Sequence, residues 1–300
     1  MKELLERNEL VLMEAAIVEQ LRRSDAIELH PRLINAPLIY DQAGQKAMAS
    51  IYHAYMDIAS KAALSFLMYT PTWRANRQRV MESGAYPSIN TDAVRFMQGL
   101  REAQGSKTVI KIGGLIGCKN DCYRPEEALS AAESELFHAW QIAQLAIAGV
   151  DFLIAQTLPS VEEAKGIAKA MELTGLPYVI SFVISRDGSV LDGTDLDTAI
   201  AAVDAVTERK PLGFMVNCAY PGFLCAEKQK QSLFDRLIGY QGNASSLDHK
   251  ELDGADTLQA ESVTAWGDAM LELHHSYGVK MLGGCCGTGV EHLRYIVGKR

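Results

Sequence analysis

Val150-Asp151-Phe152-Leu153-Ile154-Ala155, continued by Ser160 to Thr174 and then by Tyr178 to Ile184, is the stretch on which the fold turns. Its outer pieces are short apolar runs of strand length, rich in Val, Ile and Phe. The piece between them places Val161, Ala164, Ala168 and Met171 at helical spacing behind Ser160, a residue suited to an N-cap. A strand, a crossover helix and a second strand make a βαβ unit, whose two strands pair in parallel and are covered on both faces.

The same alternation runs outward in both directions. Further strand-like runs are Glu9 to Ala16, Ala63 to Tyr69, Thr108 to Ile112, Gly213 to Asn217, Leu237 to Tyr240 and Val279 to Leu282. Amphipathic stretches lie at Pro125 to Ala148, Leu196 to Arg209 and Thr257 to Tyr277, and Thr288 to Val297 reads as a last helix with Thr288 as its cap. Eight strands alternating with helices in 300 residues predict a single-domain (β/α)8 TIM barrel over residues 1–300, with a doubly wound open sheet as the alternative. No Pro/Gly/Ser-rich linker, low-complexity tract or internal repeat divides the chain.

Composition narrows the function. Apolar residues make up 48% and charged residues 22%, an ordinary globular balance, and the net charge of −8 disfavours nucleic acid and anionic membrane, which both need clustered Lys and Arg. Small molecules are the expected partners, and a homo-oligomer remains open. The charged start Met1-Lys2-Glu3-Leu4-Leu5-Glu6 has no secretory character and no apolar run approaches a membrane span, so a cytoplasmic location is expected. In a reducing compartment the six cysteines are thiols or metal ligands rather than disulfides.

Three of those cysteines carry the functional signal. Cys218 closes the run Gly213-Phe214-Met215-Val216-Asn217, and Cys285-Cys286 sit in Gly283-Gly284-Cys285-Cys286-Gly287-Thr288. Each run reads as a buried strand ending in a loop, and in a barrel such ends gather at the mouth that holds active sites. Three thiolates there leave tetrahedral zinc an open position, as catalytic sites do. A lone buried Cys such as Cys218 is also an ordinary small core residue, whereas two adjacent cysteines between glycines are harder to read that way. Cys118 and Cys122 lie in a polar loop without a second pair and are set aside.

Val216-Asn217-Cys218 and Gly283-Gly284-Cys285-Cys286-Gly287-Thr288 with His292 resemble the motifs of the homocysteine S-methyltransferase family of zinc-dependent thiol methylases. Weaker similarity runs through Gly113-Gly114-Leu115-Ile116-Gly117, read as a tight turn after the third strand, and through Gly149 to Ser160. The resemblance implies Zn2+ held by Cys218, Cys285 and Cys286, and a small-molecule donor whose methyl passes to the thiolate of homocysteine or a related thiol, the chemistry of methionine biosynthesis. Without a C-terminal arm or cobalamin module, the chain looks nearest the S-methylmethionine type. A corrinoid-linked component and a non-catalytic zinc- or ligand-binding member are the alternatives.

Substrate residues implied by the resemblance are Glu14, Gln156 and Asn217, and two of the surrounding features depart from the family pattern. Where a glycine-rich turn is expected near the N-terminus, this chain has Ala15, Ala16 and Val18, and where a glutamate usually meets the substrate ammonium it has Gln156. Both departures predict weakened recognition of the amino-acid end of homocysteine. Tyr40, Tyr69, Trp73 and Tyr220 are candidate aromatics for a cationic methyl donor, with core packing the competing role. His274 and His275 read as surface residues, and His292 as a partner behind a ligand or a local donor.

Overall fold

The computed structural model describes residues 1–105, 107–247 and 260–300. Its eight strands are β1 (Val11–Met13), β2 (Phe66–Tyr69), β3 (Ile110–Gly117), β4 (Phe152–Leu158), β5 (Tyr178–Phe182), β6 (Gly213–Ala219), β7 (Leu237–Gly242) and β8 (Met281–Gly284). They follow one another around a closed barrel in chain order, and β1 pairs with β8 to seal it. Every pairing is parallel. The expected TIM barrel is the observed fold, and the open-sheet alternative falls with the β1–β8 pairing.

The period of two within each strand sorts residues between two cores. Val11, Met13, Leu67, Tyr69, Phe152 and Ile154 point into the barrel, where they form one buried cluster with Met215 and Met281. Their neighbours Leu12, Phe66, Met68, Leu153 and Ala155 point outward into a second, larger cluster against the helices. Both faces are therefore apolar, which is why these strands read as continuous rather than alternating runs.

The helical ring is set by local signals. Asp41 caps Gln42–Lys61 by accepting from the Gly44 amide at 2.6 Å. Ser130 and Glu133 form a capping box on Ala131–Ile147, so the helix begins later than the Pro125 start read from the sequence, where Pro125–Glu127 instead forms a short 3-10 turn. Ser262 caps Val263–Tyr277; the first part of the expected Thr257 start lies outside the described residues. The last helix is Val290–Lys299 with Gly289 at its cap position, while Thr288 bonds back to the Cys285 carbonyl at 2.6 Å.

One expectation is corrected outright. Gly113 to Gly117 is not a turn but the second half of β3, paired with β4 from Gly113↔Phe152 to Gly117↔Gln156. The glycines answer to crowding: a Cβ on Gly113 would lie 2.7 Å from the Phe152 ring, and one on Gly117 2.6 Å from Trp73. A glycine run in a strand marks close approach as readily as a bend.

Candidate active site and metal centre

Two strand ends bring the three thiols together. Cys218 occupies the penultimate position of β6, and its φ of 59° puts a non-glycine residue in the left-handed region just where the β6–β7 register slips. Such backbone strain persists only where surroundings enforce it. Asn217 does so: its Oδ1 accepts from the Thr157 amide at 2.8 Å and the Ser181 hydroxyl at 2.7 Å, and its Nδ2 donates to Thr157 Oγ1 at 2.8 Å. Thr157, at the end of β4, shares the left-handed conformation with a φ of 59°.

Cys285 and Cys286 follow β8 directly. The Cys285 amide donates to the Gly242 carbonyl at 2.8 Å, the Cys286 amide to Asn243 Oδ1 at 3.2 Å, and the Cys286 carbonyl accepts from Ala244. Gly287, at φ 79°, turns the chain away and hands its amide to the Glu19 carboxylate. Both cysteines are thus fixed through their backbones, which leaves their sulfurs to gather with that of Cys218.

The three Sγ atoms lie within 4.8 Å of one another, and Cys218 and Cys286 are 3.9 Å apart. Thiolates at 2.3 Å from a tetrahedral zinc stand about 3.8 Å apart, so this donor set fits the metal with a small contraction. A proton shared among three neighbouring thiols separates their acidities. Hydrogen bonding from Cys285 above all, then from Cys286, holds Cys218 well below the ordinary thiol range, and the same hydrogen bonding with Cys218 first, its charge after it, pushes the other two up. Cys118, by contrast, is buried, and that burial pushes its thiol up to about 12.

A cavity of about 1670 Å³ opens over these sulfurs at the C-terminal mouth. Glu14, Gln156 and Asn217 all line it, so the expected substrate residues are brought to one place. Gln156 Nε2 donates to Gln241 Oε1, and Gln241 Nε2 donates to the Glu14 backbone carbonyl at 3.1 Å. Glu14 Oε2 accepts from the Tyr69 amide at 2.7 Å; burial, opposed by that bond, raises its carboxyl well above the usual range. No Lys or Arg pairs with Glu14 among the described residues.

Ala15, Ala16 and Val18 also line the cavity, and none of them has a positive φ. The glycine-free segment therefore takes an ordinary backbone, and its Cβ atoms change the space rather than the chain path. Of the four aromatics expected from the sequence, Trp73 alone reaches this cavity: Tyr69 is barrel core, Tyr40 packs edge-on against Tyr86 at the surface, and Tyr220 lies outside the lining. His274 bonds to the Val279 carbonyl at 2.9 Å. His292 accepts from the Gly289 amide at 3.2 Å and packs against Trp266, which makes it a brace for the last turn.

Sequence reasoning missed Tyr123. Its hydroxyl lies 3.0 Å from Cys218 Sγ, and the thiolate beside it drives the phenol strongly upward. It arrives on the segment after β3, whose Lys119 amide is pinned at 2.7 Å by the buried Glu163 carboxylate on the next helix but one, Val161–Glu172. Tyr52 and Phe223 were likewise missed as lining residues. Nothing local marks them, because they converge from three distant segments.

Comparison with known proteins agrees with this geometry. The family described as homocysteine S-methyltransferase matches residues 5–299, and the chain belongs to that family. Similar curated proteins are the homocysteine S-methyltransferase YbgG of Bacillus subtilis, 27% identical over 179 residues (58% of this chain, 54% of YbgG), and the S-methylmethionine–homocysteine S-methyltransferase BHMT2 of Pongo abelii, 27% identical over 250 residues (77% of this chain, 64% of BHMT2). The chain thus spans between about half and two thirds of the length of these relatives. The metallated homocysteine methyltransferase MmuM of Escherichia coli superposes with a TM-score of 0.77 over 99% of both chains at 17% identity, a likeness of fold.

Proposed function

We propose that this protein is a zinc-dependent S-methyltransferase that moves a methyl group from a small-molecule donor to the thiolate of homocysteine or a related thiol. The observation that carries the reading is the triangle of Cys218, Cys285 and Cys286 sulfurs at metal-ligand spacing, open to a substrate-sized cavity. Zinc bound there would supply the Lewis acidity that keeps a thiol substrate deprotonated at neutral pH, the form that attacks a methyl carbon.

The protein's own groups do the rest. Asn217 holds Cys218 in its strained backbone by tying β6 to β4 and β5. Glu14 and Gln156 form the polar floor for the amino-acid end, with Glu14 the single carboxylate buried in it. A substrate ammonium arriving there would draw Glu14 into its ionised form and replace the missing charge at Gln156. Trp73, Tyr52, Tyr123 and Phe223 make the aromatic wall facing a cationic methyl donor.

Metal analysis together with turnover tests the reading. The native chain should carry one zinc and methylate a thiol from a sulfonium donor, and Cys285→Ala should lose most of the metal and the activity while Cys118→Ala keeps both. Full zinc in Cys285→Ala would place the centre elsewhere. Homocysteine and a simple alkanethiol, compared by kcat/KM in the native chain and in Gln156→Glu, measure the amino-acid pocket: Gln156→Glu should raise the preference for homocysteine.

A further inference from the structure

Beside the active-site cavity lies a second one of about 390 Å³, lined by Arg32, Arg74 and Arg79 together with Asn120, Asp121 and Tyr123. Three guanidinium groups share this small space in a chain whose net charge is −8. Only Arg32 has an acidic partner, Glu82. Arg74 and Arg79 form no ion pair among the described residues, and both are only partly exposed.

These arginines are held by bonds that do not neutralise them. Arg74 Nη1 donates to the carbonyls of Cys118, at 3.1 Å, and Asn120, and its guanidinium stacks 4.1 Å over Trp73. Arg79 reaches the carbonyls of Arg32 and Lys119 at 3.3 and 3.4 Å. Burial, and then the charge of Arg74, lower the basicity of Arg79. The one acidic residue of the lining, Asp121, is already engaged by the Tyr123 amide at 2.9 Å and faces Arg124.

The tip that carries Arg32 is also built to stay. His30 and Ile34 pair across it, His30 Nδ1 accepts the amides of Arg32 and Leu33 at 3.1 Å each, and Ile34 is forced to a φ of 56°. A β-branched residue in the left-handed region is a costly way to close a turn. Ile34 and Tyr123 line both cavities, and the Tyr123 hydroxyl sits on Cys218. The small cavity therefore stands one side chain away from the metal centre.

We propose that this cavity is an oxyanion-binding site, with Arg74 and Arg79 as the cations that a carboxylate or phosphate group completes. Planar forks with free donors suit such groups, and two like charges pressed together gain most from an anion between them. The site goes beyond the methyl-transfer reading and stands without it. Its ligand is either the anionic end of a donor whose methyl lies over the cysteines, or a separate anion that acts alone.

Calorimetry with inorganic phosphate and with glutarate on the full chain at low ionic strength is the test. Saturable one-to-one binding is expected, weakened about tenfold or more in Arg79→Met. Asp121→Asn keeps the acceptor for the Tyr123 amide while removing the one negative charge, and should tighten binding severalfold. Absence of saturable binding up to tens of millimolar, or equal affinity in native and Arg79→Met chains, overturns the site. Should Arg79→Met not fold, unchanged or weaker phosphate affinity in Asp121→Asn overturns it equally. Turnover then separates the sources: glutarate competing with a carboxylate-bearing donor identifies the donor's own end, and phosphate binding without competition identifies a separate anion. The binding measurement needs no catalysis, so an inactive methyltransferase would leave it intact.

Discussion

At Glu14 stability meets the recognition of a substrate ammonium proposed above. Its carboxyl is buried without a cation, and its acidity is lowered accordingly, so the folded protein keeps a proton that the unfolded chain releases at a carboxyl's usual value near 4.5. In that range the native state binds more protons than the unfolded state, and stability falls as pH rises toward the folded-state value. Glu14→Gln removes the penalty. The variant should be more stable than the native chain to urea at about pH 8, with the difference vanishing toward about pH 4, while its affinity for an ammonium-bearing thiol drops about tenfold or more. Urea titrations across that pH range, beside thiol KM values, measure both; a variant less stable at the alkaline end would show that Glu14 is ionised and paired in the empty site. The resemblance of their segments pointed to Glu14 and Gln156, which the structure brings to one cavity, whereas the bracing role of Asn217 was not legible, because Thr157 and Ser181 come from other strands.

At the scale of elements, β3 carries the instructive case. Its glycines are placed by what packs on them, and two glycine substitutions of opposite sign separate crowding from backbone freedom. Gly117→Ala drives a Cβ into Trp73, which also lines the active-site cavity, and should cost about 1–3 kcal/mol. Gly99, exposed within the helix Ile89–Gln104 with nothing within 4 Å of an added Cβ, should gain about 0.5–1 kcal/mol as Ala. Denaturant midpoints decide both signs. Strand and helix identities were readable from their periods, while helix starts shifted wherever a cap overruled a plausible one, as Ser130 did over Pro125.

For the molecule as a whole, the cysteines sit on barrel ends rather than in the closure itself, since β1 meets β8 through Val11↔Met281 and Leu12↔Leu282 below them. Zinc removal by a chelator should therefore leave the far-ultraviolet dichroism intact and lower Tm by roughly 5–10 °C, the effect expected of a ligand bound only by the folded state. Loss of helix and strand signal on chelation would instead make the metal a structural one. The sequence by itself determined the barrel and singled out the three cysteines whose sulfurs gather at its mouth, because strand period, cap residues and a Cys-Cys step after a strand are all written in neighbouring positions. Only the tertiary structure decided that Tyr123 reaches Cys218, that Asn217 braces the strained strand end, and that three arginines share a cavity beside the site. Those groups are brought together by closure of the barrel, from segments tens of residues apart, and a linear pattern holds no trace of a contact that exists only once the ring is sealed.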